Sequence, residues 1–546
     1  MLLSHALLAW RARSPAFLTN GDDSRYFLLA DSLRRLRYVN IWEVGQPLER
    51  DYPPAYPALL SVWGALRGDS YDWLLVLNIV ASVASLLVLF VVLKRCWSPT
   101  VALLGLLAVF ANPMLILVAG LVRPESLYMA LSLSALALAA APSPRGRHRF
   151  AAGIAAVLAA LARIPGIALI GALGLFWLQK RRFRAAVTLM VSATFLVGAW
   201  LYISLMSPSV AGSGTYGEDV MRGVHPGVLD TVRDQAARAA AQVANYLGRI
   251  LPYDFGFPAV PGTILDNALI GGALALMATI GLWLLYRRWP PATYYLIAYG
   301  CILVLWPWRS WRFVVPVLPL LATAVVLGAG GAAARLGARM RTPAALLAAL
   351  TLAVTGALAT ADLIDRADRC KRGSLPPDES CLTVDQRSFF QAVDFVNREV
   401  STDAVFFSWK TEPLYLYTQR LTVDRRWAVD VLDRSEAAGL GPLATAGVTH
   451  ILLTHLHPGE LHVAGKLESH CSALHLLAGF ETALVFELVG SDGSEAEANG
   501  RAAESGACRA LSEYRQATTD AETGESLLDF NSEWPPPHQE AVVRGR

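Results

Sequence analysis

A series of long apolar stretches constrains the fold of this chain more than any other feature of its sequence. Each approaches the roughly 20 residues that a helix needs to cross a bilayer, and they lie at 73–93, 100–121, 124–141, 150–179, 185–206, 265–286, 292–306, 313–331 and 343–362. Of the 546 residues, 54% are hydrophobic and only 17% are charged. This composition predicts a mainly α-helical bundle that crosses a membrane many times. The net charge of +3 is too small to indicate a nucleic-acid partner.

The stretch at 150–179 is too long for one straight span and is interrupted by Arg163-Ile164-Pro165-Gly166, a helix-breaking turn. We therefore predict a hairpin of two short helices. With this hairpin, five clusters of basic residues in the loops fall on the same side of the membrane, and the positive-inside rule predicts that this side is cytoplasmic. The clusters are Lys94-Arg95; Arg145, Arg147 and Arg149; Lys180-Arg181-Arg182; Arg287-Arg288; and Arg335, Arg339 and Arg341. The loops at 19–72 and 207–264 and the chain after Asp362 are expected on the outer face.

The amino-terminal segment 1–10 is apolar but too short to cross a bilayer, and Arg11 and Arg13 follow it. It lacks the small-residue cleavage site of a signal peptide. We therefore expect an incomplete first helix, and about 11 spans in total, within a membrane domain of residues 1–362.

A small outward α/β domain is predicted at 363–490, because helical and strand patterns alternate there. The helical patterns lie at 386–398, 412–418, 435–445 and 459–477, and the strand patterns at 404–408, 420–423, 450–453 and 482–489. Residues 491–546 are rich in Glu, Ala, Gly and Ser and are expected to be a disordered tail.

Four cysteines, Cys370, Cys381, Cys471 and Cys508, lie in the part expected outside the membrane, where they allow three pairings. Cys370 and Cys381 are the nearest pair in sequence, and an oxidising compartment would permit a disulfide. Zinc is not indicated, because the chain has no Cys-x-x-Cys spacing.

Two adjacent carboxylates, Asp22 and Asp23, stand at the start of the first outer loop. Ionisable residues beside a membrane are costly and usually functional. One carboxylate could cap the helix predicted at 24–37. Apolar residues that include Leu36 recur there at helical spacing, with Arg25 on the polar face, so we expect an amphipathic helix in the membrane interface. The other carboxylate could act as a general base, or the two together could hold a divalent metal. The second outer loop, 207–264, is Gly-rich and aromatic, and is either a mobile lid or a plain connector.

Four arginines lie at outward ends of spans, against the positive-inside bias: Arg123, Arg163, Arg309 and Arg312. Snorkelling to lipid headgroups explains a typical boundary arginine. Four of them near acidic loops favour an anionic ligand, and guanidinium groups suit phosphate. Glu125 follows Arg123 closely and has its own structural explanation as a helix amino-terminal residue favoured by the dipole.

Four motifs together resemble those of the GT-C glycosyltransferases, in the branch of the protein O-mannosyltransferases and lipid A aminoarabinose transferases. The motifs are Asp22-Asp23-Ser24-Arg25-Tyr26, Tyr52-Pro53-Pro54-Ala55-Tyr56-Pro57, Arg123-Pro124-Glu125-Ser126-Leu127-Tyr128 and Arg312-Phe313-Val314-Val315-Pro316-Val317-Leu318-Pro319. Each motif is short, but their order, spacing and sidedness agree with the family. The resemblance extends from residue 15 to residue 490.

The resemblance implies an inverting transfer of a sugar from a polyprenyl-phosphate donor to a hydroxyl of a lipid, glycan or protein. It would take place on the outer face of a bacterial inner membrane and need no cofactor. Asp22 matches the family's catalytic aspartate, and Asp23 stands where the family usually has glutamate. The residues implied to bind donor phosphate are Arg50, Arg123, Arg163, Arg309 and Arg312, and those implied to bind substrate are Tyr26, Tyr52 and Glu125.

One departure from the family narrows the substrate. The aminoarabinose branch has a phosphate-binding lysine before Pro-Pro, and this chain has Tyr52 there, which argues against aminoarabinose. Two other functions remain open. A transporter or flippase of a lipid-linked sugar usually shows repeated halves, which this sequence lacks. A non-catalytic envelope scaffold would leave Asp22 and Asp23 with no role beyond capping.

Overall fold

The computed structural model describes residues 1–14, 17, 22–141, 146–206, 228–257, 264–306, 311–370, 382–434, 439–457, 459–489 and 506–521. The described residues form two compact units. We call the first the helical unit; it lies within Met1–Pro15, Arg50–Leu205 and Gly217–Arg369. The second, called the α/β unit, lies within Ala16–Glu49, Met206–Tyr216 and Cys370–Arg546.

Helices dominate the chain as far as residue 370. In chain order they are α1 (Leu2–Arg11), α2 (Asp22–Arg34), α3 (Ala55–Arg67), α4 (Tyr71–Cys96), α5 (Pro99–Leu107), α6 (Pro113–Ala119), α7 (Glu125–Ala139), α8 (Gly146–Ala162), α9 (Ile167–Gln179), α10 (Phe183–Met206), α11 (Val228–Asn245), α12 (Leu251–Asp254), α13 (Ile264–Arg288), α14 (Pro290–Leu305), α15 (Leu318–Ala333) and α16 (Arg341–Cys370). Of these, α2 belongs to the α/β unit.

The multi-pass membrane character predicted from the apolar stretches is confirmed. Among the described residues, five helical segments are long and apolar enough to cross a bilayer: Tyr71–Cys96, Phe183–Ser204, Asn267–Arg288, Trp311–Ala333 and Ala338–Asp368. Shorter apolar helices stand at Glu125–Ala139, Ile164–Gln179 and Pro290–Leu305.

The predicted hairpin at 150–179 is also confirmed. Helix α8 ends at Ala162, a single 3-10 turn covers Ile164–Gly166, and α9 begins at Ile167. The chain bends so sharply that a Cβ on Gly166 would stand 2.5 Å from the Cα of Ala160. Only glycine fits this approach, and the bend places Arg163 at the tip of the hairpin.

The span predicted at 100–121 is not one straight helix. It divides into α5 and α6, with α6 beginning after Asn112. The Asn112 side chain accepts hydrogen bonds from the backbone N–H groups of Met114 and Leu115, each at 3.1 Å. Pro113 then occupies the first helical position, where its missing N–H costs nothing. Asn-Pro thus starts a new helix inside an apolar run.

Two glycines allow α13 and α15 to pack in close contact. A Cβ on Gly281 would lie 1.8 Å from the carbonyl oxygen of Ala324, and one on Gly328 would lie 1.8 Å from that of Met277. Small residues at helix crossings are the usual means by which membrane helices associate, because lipid provides no hydrophobic drive between them.

The α/β unit contains a five-stranded sheet, as the alternating sequence pattern predicts. Its further elements are α17 (Val384–Glu399), β1 (Val405–Ser408), α18 (Thr411–Thr418), β2 (Leu421–Thr422), α19 (Arg425–Arg434), α20 (Gly441–Thr445), β3 (His450–Thr454), α21 (Gly459–Glu468), β4 (Leu474–Gly479), β5 (Ala483–Leu488) and α22 (Ala507–Ala521). The strand order is β2-β1-β3-β5-β4. Strands β1, β2 and β3 are parallel, and β5 runs antiparallel to β3 and β4.

Two local features of this unit differ from the sequence prediction. The helix expected at 459–477 ends at Glu468, because the chain turns at Cys471–Ala473 and continues as β4. Helix α19 was missed, although its apolar side packs into the core of the sheet. Within the helix predicted at 435–445 the structure contains α20, and 435–438 lie outside the described residues.

The tail expected to be disordered from 491 onwards contains helix α22. A disulfide between Cys471 and Cys508 ties this helix to the sheet, and Leu511 and Tyr514 are buried in the core. Of the three possible pairings of four cysteines, the one that joins Cys471 to Cys508 leaves Cys370 to pair with Cys381. Cys381 lies outside the described residues. Residues 491–505 and 522–546 also lie outside them.

Candidate active site

The two adjacent carboxylates lie in the first turn of α2, in the α/β unit. The helix begins at Asp22, so both aspartates precede the start expected near Ser24. Negative charge is stabilised there by the backbone N–H groups and the helix dipole. Asp23 is 2% exposed, Asp22 is half-buried, and Tyr26, one turn later, is buried. The helix therefore carries three of the predicted site residues at one end.

Arg25, on the same helix turn, is held by two buried carboxylates. Its Nε and Nη2 donate to Oε2 of Glu49 at 3.1 and 2.8 Å, and its Nη1 donates to Oε1 of Glu412 at 3.2 Å. The guanidinium also lies over the ring of Trp42, 5.4 Å from its centroid. Charge-assisted bonds of this kind hold side chains more firmly than neutral ones. Arg25 thus fixes the helix that carries the aspartates.

This contact corrects the prediction of an amphipathic helix at 24–37 with Arg25 on its polar face. Arg25 is buried, at 8% exposure. The helix ends at Arg34, and Leu36, placed on the apolar face by the helical spacing, is 94% exposed with a positive φ. A buried salt bridge replaces the expected polar surface because the partner carboxylates come from distant parts of the chain.

Helix α18 makes a second contact beside the aspartates. Its Tyr417 hydroxyl donates to the backbone carbonyl of Phe17. Burial raises the pKa of Tyr417, and the charge of Asp23 raises it further, which shows that phenol and carboxylate are neighbours. Because α18 also supplies Glu412, this one short helix adjoins the amino-terminal end of α2 at two places.

The segment after α2 extends the sheet at its β2 edge. Thr422 of β2 donates its backbone N–H to the carbonyl of Trp42 at 2.8 Å, and accepts from the N–H of Val44 at 2.9 Å. Glu43 forms a parallel bridge with Thr422. Covering an exposed sheet edge in this way removes its unpaired backbone groups. Residues 42–44 are therefore a structural part of the α/β unit.

Glu43, in the same segment, has a strongly shifted carboxyl pKa. Burial, and then the charge of Asp424, raises its pKa from 4.5 to about 8, while Arg25 opposes the shift. Its Oε1 accepts a hydrogen bond from Nδ2 of Asn40 at 3.0 Å. At neutral pH the folded protein therefore favours the protonated Glu43 side chain.

In the helical unit, the structure brings three other predicted residues together. Oε1 of Glu125, at the start of α7, lies 2.5 Å from Nη1 of Arg163 at the tip of the hairpin. Both side chains are buried. The ring of Phe313 is flanked by two guanidinium groups, those of Arg163 at 5.5 Å and Arg312 at 5.6 Å from its centroid. Two cations and one carboxylate thus share one neighbourhood.

Three buried tyrosines border this cluster, and sequence reasoning missed them. The hydroxyls of Tyr128 and Tyr295 are 2.9 Å apart, and that of Tyr299 donates to the carbonyl of Phe313 at 2.7 Å. The charge of Arg163 acts on all three phenols. Tyr128 lies in the quoted Arg-Pro-Glu motif, but Tyr295 and Tyr299 stand one turn apart inside an apolar helix with no motif to identify them.

The remaining predicted residues are less closely grouped. Arg309 lies outside the described residues. Arg123 is buried just before α7, Tyr52 is buried, and Arg50 is half-buried with its backbone carbonyl bonded to the hydroxyl of Ser204. Among the residues that the structure describes, no group of three or more His, Cys, Asp or Glu side chains could hold a metal ion.

No family model and no curated protein matches this sequence. Solved structures do match. The oligosaccharyltransferase of Archaeoglobus fulgidus in its apo form is 13% identical to this chain and has a TM-score of 0.52. The match covers 86% of this chain and 70% of the oligosaccharyltransferase chain. The same protein in complex with Zn and sulfate is 12% identical, with a TM-score of 0.52, and the match covers 90% of this chain and 73% of that one. The chain has the GT-C fold.

A further GT-C structure, ArnT from Cupriavidus metallidurans bound to undecaprenyl phosphate, is 16% identical, with coverage of 89% of this chain and 97% of that one and a TM-score of 0.43. The fold predicted from four short motifs is confirmed by the two oligosaccharyltransferase structures with a TM-score of 0.52. At these identities the likeness concerns the fold alone, and the activity of this chain has to be argued from its own residues.

Proposed function

We propose that this protein is an inverting glycosyltransferase that moves a sugar from a polyprenyl-phosphate donor to a hydroxyl of a lipid, glycan or protein. The observation that carries the proposal is the pair Asp22 and Asp23 at the start of α2, on a helix fixed by the buried Arg25. The GT-C fold, shared with an oligosaccharyltransferase, supports the same class of reaction.

In the proposed reaction, the carboxylate of Asp22 takes the proton of the acceptor hydroxyl as its oxygen attacks the anomeric carbon. The bond from that carbon to the phosphate oxygen breaks, and polyprenyl phosphate leaves with the bonding electron pair. A single displacement inverts the anomeric configuration. Asp23 stands beside the base, where its charge would raise the basicity of Asp22.

The leaving phosphate gains negative charge, which fixed cations would stabilise most strongly in the transition state. The guanidinium groups of Arg163 and Arg312, at 5.5 and 5.6 Å from the centroid of the Phe313 ring, support this role by geometry. Arg50, Arg123 and Arg309 remain candidates from sequence. Glu125 would hold Arg163 in place through their ion pair and contact substrate with its second oxygen. Tyr26 and Tyr52 are proposed to line the substrate site.

The sidedness follows from the basic loops. If they face the cytoplasm, the site and the α/β unit face the periplasm or exterior of a bacterial inner membrane. A lipid-linked donor would then reach the site from the bilayer itself, without a nucleotide-binding domain.

A transfer assay in membranes tests the proposal with radiolabelled polyprenyl-phosphate sugars. Asp22→Asn should abolish transfer, because the amide cannot accept the proton. The matched control is Asp31→Asn on the same helix, whose carboxylate bonds Arg35 at the surface and should not affect transfer. Equal transfer in both variants would remove Asp22 from the mechanism. Parallel reactions with Mg²⁺ and with EDTA measure any dependence on a divalent metal.

A further inference from the structure

Five polar side chains between residues 242 and 267 carry buried atoms that make no hydrogen bond within the described structure. These atoms are Oε1 of Gln242, both amide atoms of Asn245, the hydroxyl of Tyr246, both carboxylate oxygens of Asp254 and Oδ1 of Asn267. Buried polar groups are normally bonded, and exceptions mark functional sites or bound molecules. So many in one short segment therefore require an explanation.

Three of the five lie on one face of α11. Gln242, Asn245 and Tyr246 are three and four residues apart, the spacing that brings side chains together on a helix. The helix changes to a π turn at Tyr246–Ile250. Such turns are rare and occur often at functional sites. The amide nitrogen of Gln242, Nε2, donates to the carbonyl of Trp306 at 2.8 Å, which fixes that side of the cluster.

Asp254 closes the cluster from α12. It is 0% exposed, and its charge acts on Tyr246. Its backbone cannot move away, because its carbonyl accepts from Nδ2 of Asn112 at 2.6 Å and the carbonyl of Phe255 accepts from Thr355 at 2.9 Å. Burial raises the pKa of Asp254 well above its usual range, so the carboxyl can donate as well as accept.

Helix α13 supplies the opposite wall. A Cβ on Gly271 would stand 1.6 Å from the carbonyl oxygen of Leu247, so only glycine lets α13 lie against the π turn. Asn267 is one helical turn before Gly271 and therefore lies on the same face of α13. Its side chain is 9% exposed.

The cluster adjoins the cations proposed to bind phosphate. The charges of Tyr246, Arg163 and Glu125 all act on the phenol of Tyr299. Tyr246 is thus a neighbour of both Tyr299 and Asp254. A ligand whose phosphate lies at the arginines would bring the group attached to that phosphate close to this segment.

We infer that the cluster of Gln242, Asn245, Tyr246, Asp254 and Asn267 binds the hydroxyl groups of the sugar in the lipid-linked donor. Amide, phenol and carboxyl groups both donate and accept hydrogen bonds, as neutral sugar hydroxyls require. A phosphate dianion could only accept hydrogen bonds and would leave Oε1 of Gln242 without a donor, and a lipid chain would leave every polar atom unbonded. The inference rests on the proposed function and specifies its donor site.

Tyr246→Phe tests the inference with little risk to folding, because the hydroxyl that it removes makes no hydrogen bond in the described structure. Binding of two probes to the purified protein is measured: polyprenyl phosphate, and the same lipid carrying mannose, glucose or arabinose. We expect the wild type to bind one sugar-bearing lipid more tightly than the bare phosphate. Tyr246→Phe should weaken that lipid about tenfold and leave bare-phosphate binding and the melting temperature unchanged. Asn245→Ala should act in the same direction.

The matched control is Tyr294→Phe, whose hydroxyl donates to Gln179 at the surface at 2.9 Å. It should leave both affinities unchanged. If both Tyr246→Phe and Asn245→Ala bind the sugar-bearing lipid like the wild type, the cluster is only solvated and the inference is overturned. The proposed function would survive that result. If the wild type binds neither probe, the proposed function fails, and the inference fails with it.

Discussion

Replacing Arg25 with methionine would remove the cation that Glu49 and Glu412 share, while keeping most of the apolar stem of the side chain. Both carboxylates are buried, at 1% and 7% exposure. Breaking a buried ion pair by removing one partner costs about 3–5 kcal/mol, because the remaining charge is left unpaired. We therefore expect α2 to open about a hundred- to several-thousandfold more often.

Hydrogen exchange followed by mass spectrometry measures this opening directly on peptides that cover α2. Arg35→Met is the matched control on the same helix, because Arg35 pairs with Asp31 at the surface, and such pairs contribute less than about 1 kcal/mol. Glu412→Gln should have a smaller effect than Arg25→Met, since Arg25 keeps both bonds to Glu49. If Arg25→Met accelerates exchange no more than Arg35→Met, the buried network does not hold α2.

Three further predictions concern charge, the disulfide and the donor site. The unfolded chain loses the Glu43 proton near the usual pKa of 4.5, whereas the folded protein keeps the proton until the pH reaches about 8. The stability of the folded protein should therefore fall as the pH rises between these values. Melting curves of Glu43→Gln should lack that fall. Reducing the disulfide between Cys471 and Cys508, which are separated by 37 residues, should destabilise the α/β unit by about 2–4 kcal/mol. Hydrogen exchange of α22 during denaturant titration measures this loss, and unchanged exchange would show that α22 does not depend on the disulfide. Arg163→Gln should weaken polyprenyl phosphate binding at least tenfold in the same lipid-binding assay, and unchanged affinity would exclude Arg163 from the phosphate site.

Sequence patterns predicted the features that depend on local chemistry. The hairpin at 150–179 follows from a Pro-Gly turn inside an apolar run, and the strands at β1, β3 and β5 follow from short apolar runs between turn residues. Helix α21 was extended too far, because the apolar residues of β4 continue the helical pattern past Glu468.

Long-range contacts could not be predicted in the same way. Arg25 and Glu412 are 387 residues apart, and nothing in either local pattern indicates that they form a pair. The unbonded polar groups from Gln242 to Asn267 were hidden in a segment interpreted as a lid or connector, although α11 and the π turn give most of its described part a regular structure. Burial decides the role of these residues, and burial depends on which helices pack around them.

The most direct test of the proposed activity uses purified protein in liposomes and a donor labelled separately on its sugar and on its lipid. The account predicts that labelled sugar appears on the acceptor and that an equal amount of polyprenyl phosphate is released, with neither product formed by Asp22→Asn. Movement of the intact doubly labelled donor across the bilayer, with no release of polyprenyl phosphate, would contradict it and identify a transporter.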